Sequence, residues 1–352
     1  MKIALITDTH FGARNDNLEF NEYFYRFYEN VFFPYLDEHD IKTVVHLGDC
    51  TDRRKFISYR IAKDMRTRFF QPMFDRGLDV HVIIGNHDTF YKNTNEVNSM
   101  EELIGSEKMS IYTETTNVEF DGTPICFVPW INSGNYAESV KRIQESQAEI
   151  AMGHLEINGF EMHAGHFAEN GYDKNIFKGF DVVMSGHFHK KSDDGQVYYL
   201  GNPYQITWSD YDCPKGFHIF DTETRELTRV LNPYTIFEKI YYDDTQTDYD
   251  TVDVSRYDNK FVKLVVVNKK DLVKFDTFTD RLLNETNALE VKIVEDFSDL
   301  DADHVSDEIV QNAEDTLTVL ERYIDELDVE LDKKRMKGMM KSLYLEASEL
   351  EL

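Results

Sequence analysis

Five short apolar runs in the first 190 residues end on the same few residue types. Lys2-Ile-Ala-Leu-Ile-Thr leads into Asp8-Thr-His10, Thr43-Val-Val-His-Leu into Gly48-Asp49, and His81-Val-Ile-Ile into Gly85-Asn86-His87-Asp88. Glu149-Ile-Ala-Met leads into Gly153-His154, and Asp181-Val-Val-Met-Ser into Gly186-His187-Phe188-His189. Runs this short that are apolar throughout, rather than alternating, fit strands buried on both faces, as in a parallel sheet covered by helices. Thr123-Pro-Ile-Cys-Phe-Val128 reads as another such strand. Residues 17–39 and 58–75 carry helical patterns between the first three runs, so the chain opens βαβαβ and implies a layered α/β domain. In open α/β sheets ligands sit beyond the carboxyl ends of the strands, which brings the five endings toward one cleft.

Imidazole, carboxylate and the asparagine carbonyl suit manganese, iron, zinc or magnesium, and a glycine beside four of the endings lets the backbone approach closely. Each fragment alone has an ordinary reading. Asp-x-His is a cap and a surface histidine, Gly-Asp is common in turns, and His187 and His189 could be satisfied core histidines. Their recurrence at successive strand ends points to a metal centre.

These blocks, Asp8-x-His10, Gly48-Asp49, Gly85-Asn86-His87-Asp88, Gly153-His154 and Gly186-His187-x-His189, resemble the five-block signature of the calcineurin-like metallophosphoesterases. A small βαβ unit and a helical tail resemble the SbcD-type DNA repair nucleases. Val128-Pro-Trp130, Gly153-His154-Leu-Glu-Ile-Asn-Gly159 and Gly201-Asn-Pro-Tyr-Gln-Ile-Thr-Trp208 look closer still to the recombination nuclease subunits of T-even bacteriophages. The resemblance implies an α-β-β-α sandwich with a small α+β cap and C-terminal helices. It implies two divalent ions, manganese first and magnesium second, about 3.5 to 4 Å apart. Asp8, His10 and His189 would hold one, Asn86, His154 and His187 the other, with Asp49 bridging. His87 is similar to the family's non-ligand histidine beside the leaving oxygen, with Asp88 to orient it. Arg53 and Arg54, just past Asp49, are candidates for DNA phosphates. Many nucleases of this type carry histidine where this chain has Asp52, which bears on how the strand end is positioned.

By resemblance, the chain is expected to be a homodimeric 3′-to-5′ exonuclease with some endonuclease activity, acting on DNA ends with an SMC-like coiled-coil ATPase. Two other readings stand beside it: a phosphoesterase for a phosphoprotein, cyclic nucleotide or small phosphoester, and a non-catalytic scaffold. The expected division is a nuclease core over 1–205, a β-hairpin completing it over 206–240, a small βαβ cap over 241–297, an acidic linker over 298–307, and a helical partner-binding segment over 308–352. The last is expected because Ile309, Ala313, Leu317, Leu320, Ile324 and Leu327 recur at helical spacing, as do Met336, Met339, Met340, Leu343, Ala347 and Leu350.

Charge bears on the DNA reading. The 66 acidic and 38 basic residues give a net charge of -28, which repels nucleic acid at long range. The distribution is uneven: 53–76 is net +6, whereas 296–352 holds 17 acidic and 6 basic residues, net -11. Three widely spaced cysteines argue against a disulfide framework. With no long apolar run and an early charge at the amino terminus, a cytoplasmic location is expected, in the host if the gene is a phage's.

Overall fold

The structure, a computed structural model, describes residues 1–163, 166–168 and 171–295, and beyond them only 324, 333, 336 and 337. Its strands, in chain order, are β1 Lys2–Ile6, β2 Thr43–His46, β3 Asp79–Ile83, β4 Ser110–Tyr112, β5 Thr116–Phe120, β6 Thr123–Val128, β7 Ile150–His154, β8 Glu161–His163 and β9 His166–Phe167. After these come β10 Val182–Gly186, β11 Ser192–Asp193, β12 Val197–Tyr199, β13 Gly216–Asp221, β14 Leu227–Leu231, β15 Phe237–Asp243, β16 Phe261–Asn268 and β17 Glu290–Val294. They form two six-stranded sheets, ordered β14-β13-β1-β2-β3-β4 and β11-β12-β10-β7-β6-β5, a three-stranded sheet β15-β16-β17, and the small hairpin β8-β9.

The unbroken apolar runs have a direct structural cause. In β1, Ile3 and Leu5 pack between the two large sheets with Val45, Ile125, Ile150 and Met184, while Ala4 and Ile6 pack under the helices on the outer side. Both faces of the strand are therefore dry, and neither tolerates a polar residue. On the second sheet, Ala151 and Val183 face a separate cluster containing Ile143 of the helix Tyr136–Glu145 and Phe177. The layers run α-β-β-α, as expected.

The two helical stretches expected over 17–39 and 58–75 are present, capped by Asn17 on the amides of Glu19 and Phe20 and by Ser58 on that of Ile61. Neither is a plain α-helix. Leu18–Phe27 passes through a π segment, Tyr28–Phe32, into Phe33–Glu38, and Tyr59–Asp64 through Met65–Phe70 into Gln71–Asp75. Pro34 and Pro72 follow the π segments closely. A proline cannot donate its backbone hydrogen bond and crowds the preceding turn, and a widened turn relieves both conflicts without ending the helix.

The third sheet is wholly parallel, and the helix Leu272–Asn284 covers one face through Phe275, Phe278 and Leu282 against Ile240, Tyr242 and Leu264. The expected cap boundary at 241 falls inside β15, which begins at Phe237. This strand also joins the larger core: Phe237 lies 4.5 Å from Trp208 and 5.7 Å from Phe20, whose ring stacks on Phe261 at 5.1 Å. The expected acidic linker, 298–307, and partner-binding segment, 308–352, lie outside the described residues apart from the four single positions. Among the described residues no helix is long and apolar enough to cross a membrane.

Candidate metal centre

The loops that leave β1, β2, β3, β7 and β10 meet at one edge of the sandwich. Backbone bonds tie them first: the Asp8 amide donates to Gly48 O at 3.0 Å and the His10 amide to Asp49 O at 3.1 Å. The His187 amide donates to the Asp8 carboxylate, and His154 Nδ1–H to Leu47 O at 2.8 Å. All four glycines among the endings are there for space. A Cβ on Gly85 would sit 2.2 Å from Asp49 Oδ1, and one on Gly186 2.0 Å from Thr7 Oγ1. Asp8, His10, Asp49 and His187 all hold left-handed backbone, with φ of 53°, 43°, 57° and 85°. Such strain in non-glycine residues persists only where surrounding structure imposes it, and it gathers at functional sites.

Two groups of side chains result. Asp8, His10 and His189 form one, with His10 Nε2 and His189 Nε2 facing each other at 3.0 Å. Asp49, His154 and His187 form the other. Asn86 Oδ1 joins it, 2.9 Å from His154 Nε2 and 3.0 Å from His187 Nδ1. Asp49 Oδ2 lies 3.2 Å from His154 Nε2 and 3.9 Å from His10 Nε2, so one carboxylate reaches toward both groups. All seven residues expected as ligands are thus brought together. Their spacing fits divalent cations: two imidazole nitrogens bound about 2.1 Å from one ion at right angles stand about 3 Å apart. The donors are oxygens and imidazole nitrogens. The Cys50 thiol next to Asp49 is fully buried, and that burial pushes it well above its usual value.

The electrostatics point the same way. Burial disfavours charge on His10, but Asp52, Asp49 and Asp8 outweigh it and lift the imidazole to about 9. His154 reaches about 9 on the same balance, with Asp49 its main counter-charge. His187 is driven down to about 3 by burial and then by its neighbour His154. Burial raises Asp8, whereas Asp49 resists its own burial and is held well below the usual carboxylate range by His154 and His87. Buried carboxylates at this density need positive charge, and protons on His10 and His154 occupy the place a cation would take.

Behind the ligands, His46 accepts the Gly48 amide at Nδ1, so Nε2–H donates to Thr9 Oγ1, which in turn donates to Cys50 O. Burial holds this ring at about 3, in keeping with a neutral tautomer. Thr7 Oγ1 donates to Asp8 Oδ2 at 2.7 Å.

One expectation needs correction. Asp88 does not orient His87. Its buried carboxylate accepts the amides of Asp49 at 2.8 Å, Thr51 at 3.0 Å and Gly85 at 3.0 Å, which clamps the β2 and β3 loops together. His87 instead donates Nδ1–H to the backbone carbonyl of Asp52, which makes Nε2 the nitrogen without the proton. Arg53, expected at a DNA phosphate, pairs its guanidinium with Asp16 and lies 4.4 Å over the Phe56 ring. Arg54 reaches Thr89 Oγ1 at 3.5 Å and spans the two loops.

Three supporting residues escape a reading of the sequence. Asp52 is visible there only as a departure from pattern, yet its Oδ1 lies 3.4 Å from His10 Nδ1, where it can orient a ligand. Trp130, in the Val-Pro-Trp run, places its ring 5.4 Å from that of His187. Lys215 leaves no local signal at all. Buried to 4% exposure, it donates to the His189 carbonyl at 2.9 Å and to the side chains of Asn202 and Asp210.

The pattern of the calcineurin-like phosphoesterases matches residues 1–191, a span that includes all seven ligand candidates. Exonuclease subunit 1 of Enterobacteria phage T4 is 30% identical over 319 residues, 90% of each chain. The SbcD component of the SbcCD nuclease from Staphylococcus saprophyticus is 29% identical over 98 residues, 26% of each chain. A solved archaeal phosphodiesterase aligns with 66% of this chain and all of its own, at a TM-score of 0.32 and 16% identity. With that pattern covering more than half of its length and a relative similar from end to end, the chain belongs to the calcineurin-like phosphoesterases.

Proposed function

We propose that this chain is the nuclease component of a DNA-end-processing pair. It acts as a manganese-dependent phosphodiesterase, a 3′-to-5′ exonuclease with some endonuclease activity, with magnesium the second choice of metal. It works as a homodimer in the cytoplasm, the host's if phage-encoded, with an SMC-like coiled-coil ATPase held by its C-terminal segment. The observation that carries the reading is the position of Asp49, within 4 Å of imidazoles from both ligand groups. The end-to-end similarity to a phage exonuclease subunit supports DNA as substrate.

Divalent cations bound here supply Lewis acidity, lowering the pKa of water and offsetting charge on the phosphoryl oxygens. The protein's own part is orientation. Leu47 O fixes the His154 ring with Nε2 toward Asp49, and Asp52 faces the rear nitrogen of His10. His87, held at Nδ1 by the Asp52 carbonyl and 4.9 Å from the His10 ring, places Nε2, when the ring is protonated, to deliver a proton to the departing deoxyribose oxygen. The Asp88 clamp keeps Asp49 and Asn86 at fixed separation by binding amides of both their loops.

The direct test is nucleotide release from linear duplex DNA with manganese, by the full chain alone and with its ATPase. Release that the Asp49→Ala protein loses by at least a thousandfold is the expected result. No release under either condition, or full activity in that variant, overturns the proposal.

A further inference from the structure

The strongest feature outside the ligand set is a group of aromatic side chains in solvent on the two loops that leave the site. Phe56 is 64% exposed and Tyr59 96%, on the stretch following Asp49. Phe90 and Tyr91 are 38% and 52% exposed, three and four residues past His87. These are four of the seven exposed aromatic side chains among the described residues. Apolar ring faces left in solvent forgo the gain of burial, so their grouping on two segments that Arg54 and Thr89 join calls for an occupant.

The display is built. Loop 90–97 is closed by Phe90 N–H to Val97 O at 2.9 Å. It is pinned from beneath by Asn95, whose amide donates to Thr113 O and Trp130 O and whose carbonyl accepts from Asn132. Its Phe90 and Tyr91 rings meet edge to face at 4.8 Å. On the other segment, Arg53 is anchored by Asp16 and sits over one face of Phe56 at 4.4 Å. Arg54 joins the loops through Thr89, and the exposed Lys55 and Arg60 alternate with the aromatic residues. Aromatic faces interleaved with cations are the recognition chemistry of unpaired nucleotides, whose bases stack while their phosphates meet Lys and Arg. Inside a duplex the bases offer only edges, and a blunt end exposes a single face of its last pair, whereas an unpaired strand offers the faces of successive bases.

We infer that Phe56, Tyr59, Phe90 and Tyr91 form a stacking platform for the bases of a single-stranded nucleic-acid terminus, so that the centre receives a frayed strand rather than an intact duplex end. The inference rests on the nuclease reading above and goes beyond it in naming the strand state and the residues that select it.

The test compares the full-length protein with the exposed-site variants Phe56→Ala/Tyr59→Ala and Phe90→Ala/Tyr91→Ala. Affinity is measured by fluorescence anisotropy on a labelled oligo-dT and on a blunt duplex, with calcium replacing manganese to stop cleavage. Each variant should lose about tenfold or more in affinity for the single strand and less than twofold for the duplex. Quenching of a 2-aminopurine near the terminus should fall in parallel. Manganese-dependent hydrolysis of bis(p-nitrophenyl) phosphate should stay unchanged. Unchanged affinity for the single strand, or equal losses on both DNAs, overturns the platform. If the wild-type protein hydrolyses the small diester but neither binds nor cuts any DNA, it is the nuclease reading that fails.

Discussion

At the scale of single residues, the centre depends on atoms that must be absent as much as on those present. Gly85 cannot carry a side chain without displacing Asp49. The Gly85→Ala protein should therefore fold yet lose manganese binding by at least tenfold, seen as free Mn(II) in an EPR titration, while its circular dichroism is retained. The raised imidazoles give a proton prediction. In the metal-free protein His10 and His154 sit near 9, above the unfolded value of 6.5. Their stabilising contribution is complete below pH 6.5 and disappears as pH rises through about 9. Metal-free protein should lose thermal stability over that window, whereas manganese-loaded protein should lose less. Manganese binding at pH 7.5 should also release protons, so calorimetric heats must differ between phosphate and Tris buffers. Equal heats would contradict the assignment. The seven ligand candidates are legible in the sequence because each is a metal-binding type placed at a strand end. Asp88 is not, because adjacency along the chain suggests His87, while the buried amides of Asp49, Thr51 and Gly85 have the stronger claim on its carboxylate.

At the scale of elements, residues 201–215 link the site to the third sheet. Tyr204 O–H donates to Thr9 O at 2.6 Å, between two ligands, and Gln205 Oε1 accepts the amides of Ile236 and Phe237 at the start of β15. Lys215 and Asp210 lie behind them, both almost fully buried, and Asp210 resists its burial and is drawn below the usual carboxylate range by Lys215. Removing one partner of a buried pair costs about 3–5 kcal/mol. Lys215→Met should lower unfolding free energy by that order in urea melts, and it should weaken metal binding by freeing the His189 carbonyl. The apolar strands can be read because burial on both faces leaves an unbroken apolar run, and both long helices because their burial repeats at helical spacing. The π segments cannot, because they answer a local clash at Pro34 and Pro72 within a sequence that still reads as helix. The short strands β11 and β12 are also invisible. They have two and three residues, too few for a period to show.

At the scale of the whole molecule, the third sheet shares aromatic packing with the large core rather than hanging from a linker. Phe237→Ala, which empties the space between Phe20 and Trp208, should cost about 3–5 kcal/mol. It should also turn a single calorimetric transition into two. One transition at an unchanged temperature would show that the contact does not couple the parts. Net charge sets the DNA reading against the composition, and what reconciles them is placement, with net +6 between 53 and 76 against a total of -28. The aromatic display is not legible in advance, since a sequence shows that Phe56 and Tyr91 are aromatic but not that they stand in solvent.

The left-handed ligand backbones carry one more implication. Their geometry is enforced by hydrogen bonds among neighbouring loops, such as Asp8 to Gly48, His10 to Asp49 and Asp49 to Asp88. An ion therefore arrives at a seat whose shape is already cut, and its departure need not loosen the framework. Exchanging one divalent species for another should be a matter of diffusion and ligand exchange, complete within seconds of remixing, with no refolding phase in stopped-flow tryptophan fluorescence.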